Sequence, residues 1–184
     1  MNSAPPSKKL YIAFTDLEFT GLDPMRHEII ELGVIIADRD TLEEKDRFET
    51  KIKPEHIETA DQNSLAFLGY KDFLWNDAIS LKEAMSRYAH ITDHSIFAAW
   101  NAPYDWCFLL EAFRKENIEN PMGHHTIDIF TAAYEKLSGG IMRQSFKLST
   151  LSEHLGIPKE PMPHRAINGA ECCYLTYKKL RELP

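Results

Sequence analysis

Two acids in the string YIAFTDLEFTGLDP, Tyr11 to Pro24, have the types and spacing for chemistry. An apolar run from Leu10 to Phe14 leads straight into Asp16-Leu17-Glu18. In a strand alternate side chains share a face, so Asp16 and Glu18 lie together with Leu17 opposite. At about 4 Å and an effective dielectric near 20, two carboxylates repel by roughly 4 kcal/mol. A divalent cation held between them relieves that repulsion, and Mg²⁺ or Mn²⁺ prefers oxygen ligands. Thr20-Gly21-Leu22-Asp23-Pro24 then breaks the strand with turn chemistry. Taken alone, the pair reads equally well as the solvated face of a strand entering a turn.

Two further residues bear on that choice. Asp105, in NAPYDWCFL, falls in the first turn of an expected helix. Its position suits either helix-end electrostatics or a third acid brought to the sheet rim, where strand ends and helix starts meet. His164 opens the string HRAINGAE. Alone, a histidine before a helix is more often a local hydrogen-bonding group than a base. The other histidines show no partner pattern.

The elements that must position these residues follow from periodicity. Strands are expected at Tyr11 onward, at His27–Ala37 and at Lys45–Lys53, joined by short connections as an antiparallel meander. A short helix is expected over Asp61–Leu68. Another begins at Ser80, where Ser-Leu-Lys-Glu has the form of a capping box. Ser95–Trp100 reads as a strand, and Asn101 is expected to cap the helix that Pro103 opens. His125–Ile127 reads as a short strand, with Asp128 capping the helix after it. Leu148–Leu155 is a short helix stopped by Gly156, and a last helix starts near His164. Together these predict an α/β fold, a mixed five-stranded sheet with helices packed on it.

The 184 residues are one domain's worth. The expected division is a short N-terminal arm, 1–8, and a single domain, 9–184. Hydrophobic residues make up 43% and charged residues 27%, enough to bury a sizeable core. No run approaches the roughly 18 apolar residues of a membrane span, and a cytoplasmic location without membrane contact is expected. Cys107, Cys172 and Cys173 fit no zinc or CxxC spacing, as reduced thiols would. A net charge of −7 argues against a broad basic surface for long nucleic acid. It leaves room for gripping a strand end through metal ions.

TDLEFTGLDP, NAPYDWCFL, KLSTLSEHLGI and HRAINGAE, in that order, resemble the motifs of the DEDDh 3′–5′ exonuclease family. That family includes the proofreading subunit of DNA polymerase III, RNase T and oligoribonuclease. The resemblance runs from about Leu10 to Leu180 and implies an RNase H-like sheet with two divalent cations, Mg²⁺ or Mn²⁺. It implies that Asp16 bridges both ions, that Glu18 holds one and that Asp105 acts in part through water. His164 would be the general base, in an in-line displacement stabilised by both ions. Thr20 and Leu22, with Leu17 and Phe19 nearby, would meet the terminal nucleotide, and Asn101 would order the entrance of the helix carrying Asp105. The implied partners are single-stranded DNA or RNA 3′ ends, or short oligonucleotides, and some members form homodimers.

One position departs from the motif. The family places an aspartate five residues after the histidine, and here that residue is Gly169. Within one helical turn lie Arg165, Ala166, Cys172 and Cys173, none a carboxylate. Asn168 is neutral, and Glu171 is rotated about 200° away. The site is then a weakened or Mn²⁺-favouring exonuclease, or a relative that binds strand ends or nucleotides without turnover, or it carries an introduced substitution.

Overall fold

The computed structural model describes residues 10–184, so the arm expected at 1–8 and the start of the domain lie outside the described residues. Strands β1 (Tyr11–Phe19), β2 (Ile29–Asp38) and β3 (Glu44–Lys51) form the antiparallel meander, with Asp16 opposite Gly33 and Glu18 opposite Glu31. Strands β4 (Ser95–Ala99) and β5 (Thr126–Asp128) add in parallel on the other side, giving the order β3-β2-β1-β4-β5. The mixed five-stranded sheet is therefore as the periodicity implies. Strand β2 starts two residues later than expected because His27 belongs to the preceding turn. Its N–H donates to the Asp23 carbonyl at 2.7 Å, and its Nδ1 accepts from the Asp23 N–H at 2.9 Å.

Alternation on β1 sorts its side chains between two apolar layers. Ala13 and Leu17 join β2's Leu32, Val34 and Ile36 against α2 (Leu81–Ile91) and α3 (Pro103–Glu116). Ile12 and Phe14 join Ile35 and Ala37 on the opposite face, against α4 (Ile129–Leu137) and α6 (Ala166–Glu182). There Phe14 lies between Tyr174 and Tyr177, with ring centroids 5.3 and 5.5 Å away. By the same period, Asp16 and Glu18 face the α6 side at the end of that apolar layer. Helices α1 (Gln62–Leu68) and α5 (Leu148–His154) complete the fold.

Several caps follow the sequence. Asp61 accepts from the Asn63 and Ser64 N–H groups, Ser80 from Glu83, and Asp128 from Thr131. Gly156 takes φ 72° after α5, a left-handed stop that glycine adopts at no steric cost. Asn101 does not cap α3. It sits at φ 56°, exposed, and Ala102 occupies the cap position without a side-chain bond. Instead the Ala102 N–H donates to Asp128 Oδ1 at 3.0 Å, so the start of α3 is fixed from β5.

Candidate active site

The site forms where β1 ends beside the starts of α3 and α6. Gly33, the register partner of Asp16, makes this closeness possible. A Cβ at Gly33 would come 2.5 Å from Ile167 Cα in the backbone of α6. Only a residue without a side chain lets the start of α6 lie directly on the sheet. Gly169, nearly one turn further on, then lies over Asp16, and a Cβ there would stand 2.6 Å from Asp16 Cγ. The carboxylate of Asp16 fills the space that a side chain at 169 would take.

Asp105 reaches the same place from α3. It is buried, and its Oδ1 accepts the Leu17 N–H at 3.1 Å, tying the helix start to the strand between the two β1 acids. Asp16, Glu18 and Asp105 therefore converge, and their electrostatics show it. Burial, then repulsion from Asp105 and Glu18, pushes Asp16 well above the usual carboxylate range. Burial and repulsion from Glu31 and Asp105 push Glu18 up to about 8. Burial raises Asp105 to about 7, against the lowering effect of backbone N–H groups, Leu17's among them. Each group resists ionisation first because it is buried, and Asp16 and Glu18 also because neighbouring carboxylates repel them.

Two acids that the strand spacing did not single out complete the surroundings. Glu31, paired across the sheet with Glu18, is buried and forms an ion pair with Arg165 Nε at 3.0 Å. Its Oε2 also accepts the Ala166 N–H at 3.4 Å, standing in for a cap at the start of α6. Glu160, in the loop before α6, repels both Asp16 and Glu18. Its Oε2 lies 3.2 Å from His164 Nδ1. Glu31 was legible as the cross-strand neighbour of Glu18. Glu160 was not, because only the path of the loop brings it back.

His164 is held from two sides, by Glu160 at Nδ1 and by the Phe67 ring stacked on its face at 4.5 Å. Phe67 in turn lines an open cleft of about 420 Å³ with Glu18, Phe19, Gly21, Leu22 and Asn63. Leu22 is 68% exposed and free to meet a ligand. One side of Phe19 stacks on Phe108 at 3.8 Å. The side chains of Leu17 and Thr20 are buried. Leu17 belongs to the core, and Thr20 Oγ1 accepts the Glu28 N–H at 2.8 Å, so these two shape the strand end from behind the cleft. Asn101 is exposed at the start of α3, apart from the residues lining that cleft. Trp100 and Trp106 are half-buried against Phe130 and Phe97.

The donor set suits a hard divalent cation, since every acid offers only oxygen and the excess negative charge is buried. As the side chains stand, no group of three among the described residues surrounds a common point. Asp105 Oδ1 is engaged by Leu17, and Asp16 leans on Gly169, so closing round an ion requires these side chains to turn.

The mix and order of parallel and antiparallel strands define an RNase H-like mixed sheet. The RNase_T exonuclease family model matches residues 13–177, and the chain belongs to that family, the DEDDh 3′–5′ exonucleases. Over 172 residues it is 30% identical to the PolC-type DNA polymerase III of Oceanobacillus iheyensis, covering 91% of this chain and 11% of that one. It is 28% identical to the DNA polymerase III subunit epsilon of Treponema pallidum, covering 89% of this chain and 74% of the relative. The chain thus spans about a tenth of the PolC-type polymerases it matches and most of the epsilon subunit. The nuclease domain of 3′hExo, a DEDDh family member bound to rAMP, superposes with a TM-score of 0.74 at 20% identity, covering 97% of this chain and 93% of that one. No helix among the described residues is long and apolar enough to cross a membrane.

Proposed function

We propose that this chain is a metal-dependent 3′–5′ exonuclease that releases nucleoside monophosphates from single-stranded nucleic acid ends. The observation that carries this reading is the convergence of Asp16, Glu18 and Asp105 beside His164 at the rim of a nucleotide-sized cleft. Divalent cations, Mg²⁺ or Mn²⁺, would be held by Asp16, Glu18 and Asp105, two of them on the family pattern. Bound there, they would neutralise the phosphate and stabilise charge on the attacking and leaving oxygens. That is how an acidic site can process an anionic substrate.

The chain's own residues account for the rest. Glu160 lies at His164 Nδ1 and Phe67 stacks on the ring, which would leave Nε2 to act as the base. Nε2 takes the proton of the attacking water as its oxygen bonds to phosphorus. The bond from phosphorus to the 3′ oxygen breaks, a nucleoside 5′-monophosphate leaves, and the new 3′ end gains a proton. Leu22 and the free side of Phe19 meet the terminal base and sugar, while Thr20 and Leu17 hold the strand end that carries them. A DEDDh family member bound to rAMP and the polymerase relatives support a DNA or RNA 3′ end as substrate.

A matched pair of 5′-labelled DNA and RNA oligonucleotides tests the reading. A ladder of shortening labelled products in Mg²⁺ or Mn²⁺, abolished by EDTA, is expected. Immediate release of the labelled end nucleotide, or cleavage unchanged in EDTA, would refute it. Gly169 favours one second reading, a module that binds strand ends without turnover. Tight oligonucleotide binding with no product in Mn²⁺ would select it.

A further inference from the structure

If the site holds cations as proposed above, one ligand of the family pattern is missing from α6, and the structure offers a replacement from elsewhere. Gly169 lies over Asp16, and Cys172, three residues and about 4.5 Å further along the axis, lies on an adjoining flank of α6. The side chain of Glu160 comes in over this flank from the loop. It shares a recess with Asn168 and Cys172. Its side chain is only 15% exposed. We propose that Glu160 supplies the carboxylate that position 169 has lost, reaching the cation site from the loop ahead of α6.

Three observations support the assignment. Glu160 acts electrostatically on both Asp16 and Glu18, so its charge already belongs to the cluster. Among the described residues no ion pair neutralises Asp16, Glu18 or Asp105, and the nearby Arg165 is committed to Glu31. The one basic partner of Glu160 among the described residues is the imidazole of His164, at 3.2 Å. A carboxylate has about four lone-pair positions, so Glu160 can keep His164 Nδ1 on one and offer another to a cation. Asp16 leans toward α6, into the space at Gly169. The longer glutamate side chain spans the extra distance from the loop that an aspartate on α6 would not need to cross.

The test uses the full chain and Mn²⁺ alone as probe, titrated calorimetrically into four proteins: the parent, E160Q, G169D and the double variant E160Q/G169D. Thermal unfolding of each without metal checks that it folds. Glutamine keeps the size and hydrogen bonding of Glu160 and removes its charge, so E160Q is expected to bind Mn²⁺ about tenfold more weakly or worse. Adding G169D to E160Q is expected to restore affinity to near the parent's. E160Q that binds like the parent, or a double variant no tighter than E160Q, overturns the assignment. A parent that takes up no Mn²⁺ overturns the metal-dependent reading itself, and this assignment with it.

Discussion

Gly169 lies against the carboxylate of Asp16, so closely that a Cβ at 169 would stand 2.6 Å from Asp16 Cγ. Two consequences follow for an aspartate placed there. Asp16 must rotate away, a movement open to the free end of a side chain. A further carboxylate also joins a cluster whose members already resist ionisation. Gly169→Asp is therefore expected to lower the melting temperature of the metal-free protein by several degrees, about 2–4 °C per kcal/mol for a domain of this size. It is also expected to bind Mn²⁺ more tightly and turn over faster than the parent. Differential scanning with and without Mn²⁺ reads both effects, and a variant that melts and titrates like the parent would show that position 169 faces elsewhere.

Gly33 tests the scaffold rather than the chemistry. A Cβ there would run into the Ala166 and Ile167 backbone, which has no free end to swing aside. Gly33→Ala is expected to cost about 1–3 kcal/mol or more by forcing α6 off the sheet. Because α6 follows His164 and caps on Glu31, nuclease activity should fall further than the lost stability explains. A denaturant melt and a rate measurement on the folded fraction separate the two.

Metal-free stability should depend on pH with a definite sign. Glu18 titrates at about 8 in the fold against an ordinary 4.5, and Asp105 at about 7 against 3.8. The folded form thus holds more protons than the unfolded chain between about pH 4 and 8, so these groups make stability fall as pH rises through that window. Their favourable contribution is complete below the unfolded values and gone above the folded ones. Mn²⁺ should therefore raise the melting temperature more at pH 8 than at pH 6, since at pH 6 protons compete for the same oxygens. A Mn²⁺ effect that shrinks between pH 6 and 8 would contradict this.

Leu22 and Phe67 separate binding from chemistry. Leu22 is 68% exposed, so Leu22→Ala should change stability by no more than about 0.5 kcal/mol. Its loss is expected to raise KM for an oligonucleotide with little change in kcat. Phe67→Ala removes the ring stacked on His164 and is expected to lower kcat as well. Steady-state kinetics on a labelled oligonucleotide would show the contrast, and equal effects of the two changes on KM and kcat would refute it.

Local patterns carried most of the fold. The period-two run into Asp16 and Glu18, the serine cap at Ser80 and the stop at Gly156 are decided by a few neighbouring residues each, and all stand as read. Asn101 shows where such reading fails. Its type suits a cap, but a bond from distant Asp128 fixes the start of α3. The site was legible in part. Spacing put Asp16 and Glu18 on one strand face and Asp105 at a helix start, whereas Glu160 is brought near Asp16 and Glu18 by the path of an irregular loop. Helical periodicity along α6 says nothing about the segment before the helix, where Glu160 lies.

The most direct measurement is the calorimetric titration of Mn²⁺ into the parent and Asp16→Asn, with metal-free melting of both. Asp16 stands in the middle of the repelling acids, so its neutral variant should melt higher without metal and bind Mn²⁺ about tenfold more weakly or worse. An Asp16→Asn protein that melts no higher and binds Mn²⁺ as the parent does would contradict a cation site built on these carboxylates.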